Sequence, residues 1–146
     1  MSAVLAPATP GDAAALGAIL SDWIDATGWL PRLHTRDEDR GFVAHLIAAH
    51  QVIVARDGGG PAGFIVIDGT TISALYLAQA ARGRGIGAQL LSAAKSGRET
   101  LSLWTFQANA GARRFYLREG FREVEWTDGA GNEALLPDVR LEWRRA

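Results

Sequence analysis

The residues able to do chemistry in this 146-residue chain are concentrated between Leu75 and Phe121. In Leu75-Tyr76-Leu77-Ala78-Gln79-Ala80-Ala81-Arg82-Gly83-Arg84-Gly85-Ile86-Gly87-Ala88-Gln89-Leu90-Leu91, a strand pattern runs into a turn with glycines at three alternate positions, and a helical pattern starts there. Glycine frees the backbone for unusual dihedrals and lets its N–H groups come close to a ligand. The unpaired N–H groups at a helix N-terminus favour an anion, most often phosphate. Arg82 and Arg84 add mobile positive charge around such a cradle. A tight strand-to-helix turn without a ligand has the same local sequence, so the stretch alone leaves both readings open.

The charge distribution bears on the choice. Residues 1–81 carry four Arg against eight Asp and Glu, and residues 123–146 carry three Arg against six. Residues 82–122 carry seven Arg and one Lys against two Glu. An anion is expected at this basic middle block, although solvated helix faces would show the same surplus. Two other phosphate loops do not fit. A G-x-G-x-x-G fingerprint starting at Gly85 needs glycine where Leu90 stands, and LSLWTF occupies the place of its ribose-binding acid. Lys95-Ser96 lacks the glycines of a P-loop.

The positioning elements follow from periodicity. Residues 2–7 read as an opening strand, and Thr9-Pro10-Gly11-Asp12 starts a helix carrying Leu16, Ile19, Leu20, Trp23 and Ile24 at helical spacing. After the broken segment TGWLPRLH, the capping box Thr35-Arg36-Asp37-Glu38 opens a second helix, with Phe42, Val43, Leu46 and Ile47 as its apolar face. QVIVA, AGFIVI and ISALYL form a three-stranded meander. A helix over about 86–97, the strand LSLWTF, and a helix from Asn109 to Gly120 follow. FREVEW and VRLEW close the chain as a hairpin. The order βααβββαβαββ is α+β or α/β, with a mixed sheet covered by helices.

Hydrophobic residues make up 48% and charged residues 21%, a globular composition in one domain over residues 1–146. No apolar run reaches membrane-spanning length, and the N-terminus lacks the features of a signal peptide. The absence of cysteine excludes disulfides, thiolate metal sites and a Cys nucleophile, and with the missing signal it favours the cytoplasm. His34, His45 and His50 have no ligand spacing, so no metal is expected.

Taken together, these motifs resemble the GNAT N-acetyltransferase family. Arg82-Gly83-Arg84-Gly85-Ile86-Gly87 is similar to its [QR]-x-x-G-x-[GA] signature after the fourth strand. Asn109, Ala112, Phe115-Tyr116 and Gly120-Phe121 match its second mark, one helix and one strand further on. The resemblance extends over essentially the whole chain. It implies a mixed central sheet of about seven strands flanked by about four helices, and acetyl transfer from acetyl-CoA to an amine. By the resemblance, backbone N–H groups from Arg82 through Gly83, Arg84, Gly85, Ile86 and Gly87 to Ala88 hold the CoA pyrophosphate. The strand edge Leu75, Tyr76, Leu77 pairs with the pantetheine arm, and the Leu77 N–H polarises the thioester carbonyl. Asn109 contacts the pantetheine, and Tyr116 protonates the departing thiolate. Phe115 beside it reads as core.

The family analogy builds the acceptor pocket from the loop between the first two helices and the final hairpin loop. That nominates His34, Asp37, Glu38, Glu133 and Asp138, with Trp29 and Trp104 as apolar walls. Neither ISALYL nor LSLWTF contains a carboxylate to serve as general base. The acceptor class implied is a primary amine of a small molecule or peptide, attacked directly in a ternary complex. The alternatives are a non-catalytic acyl-CoA sensor and a transferase using another acyl-CoA. Nucleic acid and membrane are not expected as partners, and a homodimer is compatible with the sequence.

Overall fold

The computed structural model describes residues 3–146, so Ser2 of the expected opening strand lies outside the described residues. Strand β1 (Val4–Pro7) leads into helices α1 (Ala13–Ala26) and α2 (Arg36–Ala49), and then into strands β2 (Gln51–Arg56), β3 (Pro61–Asp68) and β4 (Thr71–Leu77). Helix α3 (Ile86–Lys95), strand β5 (Thr100–Phe106), helix α4 (Ala110–Arg118) and strands β6 (Arg122–Thr127) and β7 (Asp138–Arg144) complete the order. This is an α+β architecture, with a seven-stranded mixed sheet of order β1-β2-β3-β4-β5-β7-β6.

Local chemistry sets the helix starts. The Thr9 N–H donates to the Asp12 carboxylate at 2.9 Å, and a single 3₁₀ turn precedes α1. Asp12 is buried and pairs with Arg56 at 2.6 Å, tying the start of α1 to the end of β2. At α2 the capping box closes both ways. Glu38 N–H donates to Thr35 Oγ1 at 3.1 Å, and Thr35 N–H donates to Glu38 Oε1 at 2.8 Å. Helix α3 is shorter than the sequence predicts: it ends at Lys95, where Ser96 and the left-handed Gly97 turn the chain.

The helices cover both faces of the sheet. Leu16, Ile19 and Leu20 of α1 and Val43 and Leu46 of α2 pack with Val52, Val54, Phe64 and Val66. On the other face, Ile86, Leu90, Leu91 and Ala94 of α3 and Tyr116 of α4 pack with Ile65, Ile67, Leu101, Leu103, Val139 and Leu141. Strand β3 is therefore apolar at every position from Phe64 to Ile67, because both its sides are inside. Phe42 departs from the expected apolar face of α2 and is exposed. It precedes Val43 and falls outside the Val43–Leu46 stripe that meets the sheet.

What shapes the site is a break in the sheet. Strands β4 and β5 run parallel but pair only at Thr71↔Ser102 and Ile72↔Leu103. In the β3–β4 ladder the register slips where Ser73 is inserted, so that Val66 faces Ala74 and Ile67 faces Ile72. A bulge of this kind sharpens the local twist, and here it coincides with the point where β4 leaves β5. The closing pair β6–β7 is antiparallel as expected, but β7 lies between β5 and β6 and bonds to both.

Candidate active site

Where β4 and β5 diverge, they enclose a cleft of about 650 Å³ with α3 and α4. The exposed edge of β4 forms one wall. Ala78 N–H donates to Ala62 O across the β3 ladder at 2.8 Å. In an antiparallel pair these bonds alternate, so Tyr76 also bonds towards β3 while the N–H and C=O of Leu75 and Leu77 point the other way, into the cleft. An extended ligand could add to this edge as a strand does.

The glycine turn closes the end of that wall. Gly83 and Gly85 have φ of +75° and +80°, left-handed values that side chains adopt only under strain. A Cβ placed on either would meet nothing within 4 Å, so the backbone there faces open space. The N–H groups of residues 83–88 have no protein acceptor among the described residues, and together they form a cradle fit for a pyrophosphate.

The geometry narrows three of the expectations about the turn. Arg82 N–H is occupied, donating to Gln79 O at 3.3 Å. Arg84 is not mobile charge, because its guanidinium is paired with the Asp57 carboxylate. Gly87 belongs to the first turn of α3, where its role is packing: a Cβ there would come within 3.3 Å of Phe115 Cζ. Phe115 thus supports α3 from below and also lines the cleft.

Helix α4 supplies the facing wall. Asn109 caps it, its Oδ1 accepting from Ala112 N–H at 3.1 Å, which leaves its amide NH₂ at the cleft. Gly120 (φ +94°) ends the helix in a Schellman turn. Phe121 N–H donates to Tyr116 O at 2.9 Å and Gly120 N–H to Leu117 O at 3.2 Å. Rings of Tyr116 and Phe121 meet edge-on at 5.5 Å, and Phe115 and Tyr116 at 5.1 Å. These contacts fix Tyr116, which is 7% exposed and lines the cleft. Burial pushes its phenol above the ordinary tyrosine value, and Tyr76 adds to the effect.

The other mouth of the cleft is aromatic. Trp29, in the loop between α1 and α2, packs on Phe106 at the end of β5 with centroids 5.6 Å apart. Trp23 of α1 contacts Trp29 at 6.4 Å and Tyr76 at 5.0 Å. Trp104 lines the cleft and is 45% exposed. Above this wall His34 Nε2 lies 2.6 Å from Glu133 Oε1, joining the α1–α2 loop to the β6–β7 loop. The carboxylate raises the His34 pKa above its ordinary 6.5.

None of the four nominated acids lies on the cleft wall, nor does His34, which pairs with Glu133 above it. Glu38 is held in its capping box, Asp37 lies outside with Arg40, and Asp138 binds Thr127 and Asn132 within the β6–β7 loop. Trp29 is a rim residue behind Phe106 and is not part of the wall itself. Conversely, the sequence reading placed Trp23 in the helix core and gave Ser73, Thr105 and Phe106 no role, yet all four line the cleft. For Phe106 a signal existed: ligands gather at the carboxyl ends of parallel strands, and it is the last residue of β5.

Comparison with known proteins agrees with this geometry. Residues 48–123 match the family model described as acetyltransferase (GNAT) domain. The peptidyl-lysine N-acetyltransferase YiaC of Escherichia coli is 30% identical over 135 residues, covering 88% of this chain and 90% of that protein. MJ1207 of Methanocaldococcus jannaschii, an uncharacterised N-acetyltransferase, is 34% identical over 117 residues. That match covers 69% of this chain, which spans about half (46%) of the relative. Among solved structures, yncA of Salmonella typhimurium, determined with its cofactor acetyl-CoA, superposes with a TM-score of 0.73 at 21% identity, covering 99% of this chain and 94% of that one. Among the described residues no helix is long and apolar enough to cross a membrane.

Proposed function

This chain belongs to the GNAT family and is an acyl-CoA-dependent N-acetyltransferase, and on that premise we propose direct transfer of acetyl from acetyl-CoA to a primary amine of a small molecule or peptide. Residues 1–146 act as one such domain, and both substrates are bound together when the transfer occurs. The observation that carries the reading is the continuity of backbone donors. Unpaired N–H groups at residues 83–88 lead into the free edge of β4, and that edge faces Asn109 and Tyr116.

In this reading the cradle takes the pyrophosphate, and the Leu75–Leu77 edge and the Asn109 amide take the pantetheine arm. The Leu77 N–H donates to the thioester oxygen and stabilises the charge that grows there. The amine lone pair forms the C–N bond, the C–S bond breaks, and sulfur leaves as thiolate. Tyr116 gives that thiolate its proton and regains one from solvent, and the surplus amine proton leaves to water. A phenol raised by burial stays protonated across neutral pH, as a general acid must. With no cysteine in the chain, no acetyl-cysteine can form on the protein. The name of YiaC, a peptidyl-lysine acetyltransferase, supports an amine presented by a polypeptide.

The test is CoA release, read with a thiol reagent, from acetyl-CoA and a panel of amines, amino acids and peptides. Acceptor-dependent release supports the proposal. Tight acetyl-CoA binding with no acceptor-dependent release would favour an acyl-CoA sensor, and release from a longer acyl-CoA alone would reassign the donor.

A further inference from the structure

Resting on the transferase reading above, we infer that the acceptor end of the cleft selects a weakly basic amine beside an aromatic group. A peptide α-amine whose first side chain is aromatic fits; a lysine side chain fits less well.

The argument starts from what lines that end: Trp23, Ser73, Tyr76, Trp104, Thr105 and Phe106, with no carboxylate and no histidine. The charged groups around it are otherwise engaged. Behind Tyr76, Asp39 is buried, accepting from Ser21 Oγ at 2.6 Å and pairing with Arg32 at 2.8 Å. Asp25 pairs with Arg32 and Arg36, and Asp22 pairs with Arg36. At the rim His34 and Glu133 hold each other, and Asp138 is bound within its loop. Arg82, Arg118 and Glu119 line the cleft from the α3–α4 side, and Glu119 carries the one carboxylate on its lining. Tyr76 and Tyr116 are neutral phenols, Tyr76 pushed up to about 12 by burial and by Asp39.

No free carboxylate therefore stands at this end to hold an ammonium or to take its proton. An amine reaches the thioester as a nucleophile only in the fraction already neutral, its proton having gone to water. For pKa values of about 7.8 (α-amine) and about 10.4 (lysine), that fraction at pH 7 differs by roughly 300-fold. The same wall supplies contact for a flat side chain: the rings of Trp23 and Tyr76 meet at 5.0 Å, and Trp104 and Phe106 line the cleft with them. Stacking on such rings gives about a 2–10-fold advantage.

Three peptides test the inference with the intact protein: Phe-first with a free N-terminus and no lysine, its Gly-first counterpart, and an N-terminally blocked peptide with one lysine. The expected kcat/KM at pH 7 favours the Phe-first peptide over the lysine peptide, by less than the roughly 300-fold ratio of neutral fractions because the more basic amine is the better nucleophile. Its advantage over the Gly-first peptide is about 2–10-fold and disappears in Trp104→Ala, while acetyl-CoA affinity measured by calorimetry stays unchanged. The lysine rate climbs about tenfold per pH unit to beyond pH 9, whereas the α-amine rate levels above about pH 8. Equal or better use of lysine at pH 7, or a lysine rate that levels near neutrality, overturns the inference and leaves the transferase reading standing. If acetyl-CoA binds but no peptide or amine of the wider panel releases CoA, the transferase reading fails and the inference with it.

Discussion

On the β4–α3 side the cleft presents backbone: the free N–H groups of residues 83–88 and the unpaired edge of β4. On the α1–β5 side it presents side chains, chiefly Trp23, Tyr76, Trp104 and Phe106. The two sides impose different demands on sequence. Backbone recognition needs little except glycine where φ is positive and a helix that begins at the right place. Side-chain recognition can be rebuilt residue by residue without disturbing the fold. The family match over 48–123 contains the whole glycine turn but stops short of α1, the α1–α2 loop and β7. The match also holds Tyr76, Trp104 and Phe106, so of the acceptor-side residues named above only Trp23 lies outside it.

The largest expected effect crosses from one side to the other. Tyr116→Phe keeps the ring that packs on Phe121 and should leave acetyl-CoA affinity intact, while kcat falls roughly 10²–10⁴-fold. Steady-state kinetics beside calorimetry separates the two quantities, and an unchanged kcat would make Tyr116 only a wall. The next effect divides the glycine turn itself. At Gly85 a valine must adopt a left-handed backbone, at a cost of about 1–2 kcal/mol or more, and acetyl-CoA affinity should drop about tenfold. At Gly87 the same change drives a side chain into Phe115 and should instead lower stability by about 1–3 kcal/mol in urea titrations. If the two variants behave alike, the division between cradle and packing is wrong.

A smaller effect concerns steering. Since Asp57 already neutralises Arg84, Asp57→Asn should speed acetyl-CoA association a few-fold at low salt, with the gain vanishing as the Debye length falls below about 10 Å. A stopped-flow rate that ignores salt would leave the basic block as solvated surface. The smallest lies at the rim. The His34 pKa is raised by Glu133, so the favourable contact is present in full below about pH 6.5 and is lost as pH rises through the higher folded value. By NMR, the His34 titration midpoint in the wild type should exceed 6.5 and return towards it in Glu133→Gln.

The legibility of the molecule follows the same division. The capping box at Thr35–Glu38 and the Schellman end at Gly120 are local, set by a few neighbouring residues, and they appear where the sequence puts them. The element order was readable because strand and helix periods are distinct in this chain. What depends on long-range register was not. Nothing local to ISALYL marks Ser73 as an inserted residue, and the parting of β4 from β5 that makes the cleft follows from no short pattern. The rim acids show the limit most clearly: Glu38 and Asp138 have suitable chemistry and the right loops, but caps and loop hydrogen bonds had already claimed them.

The placement of β7 between β5 and β6 carries a consequence for synthesis on the ribosome. Strands β1 to β4 are joined in sequence to their neighbours, so that part can assemble as it emerges. Strand β6 bonds to β7 alone, and before β7 arrives β5 is held by two residue pairs to β4. A nascent chain stopped after Thr127 would therefore carry two open strand edges, which invite pairing with other chains. It would also lack Val139 and Leu141, which pack in the same core as Tyr116. The open edge of β5 and the inner edge of β6 are covered together, when residues 138–144 enter between them.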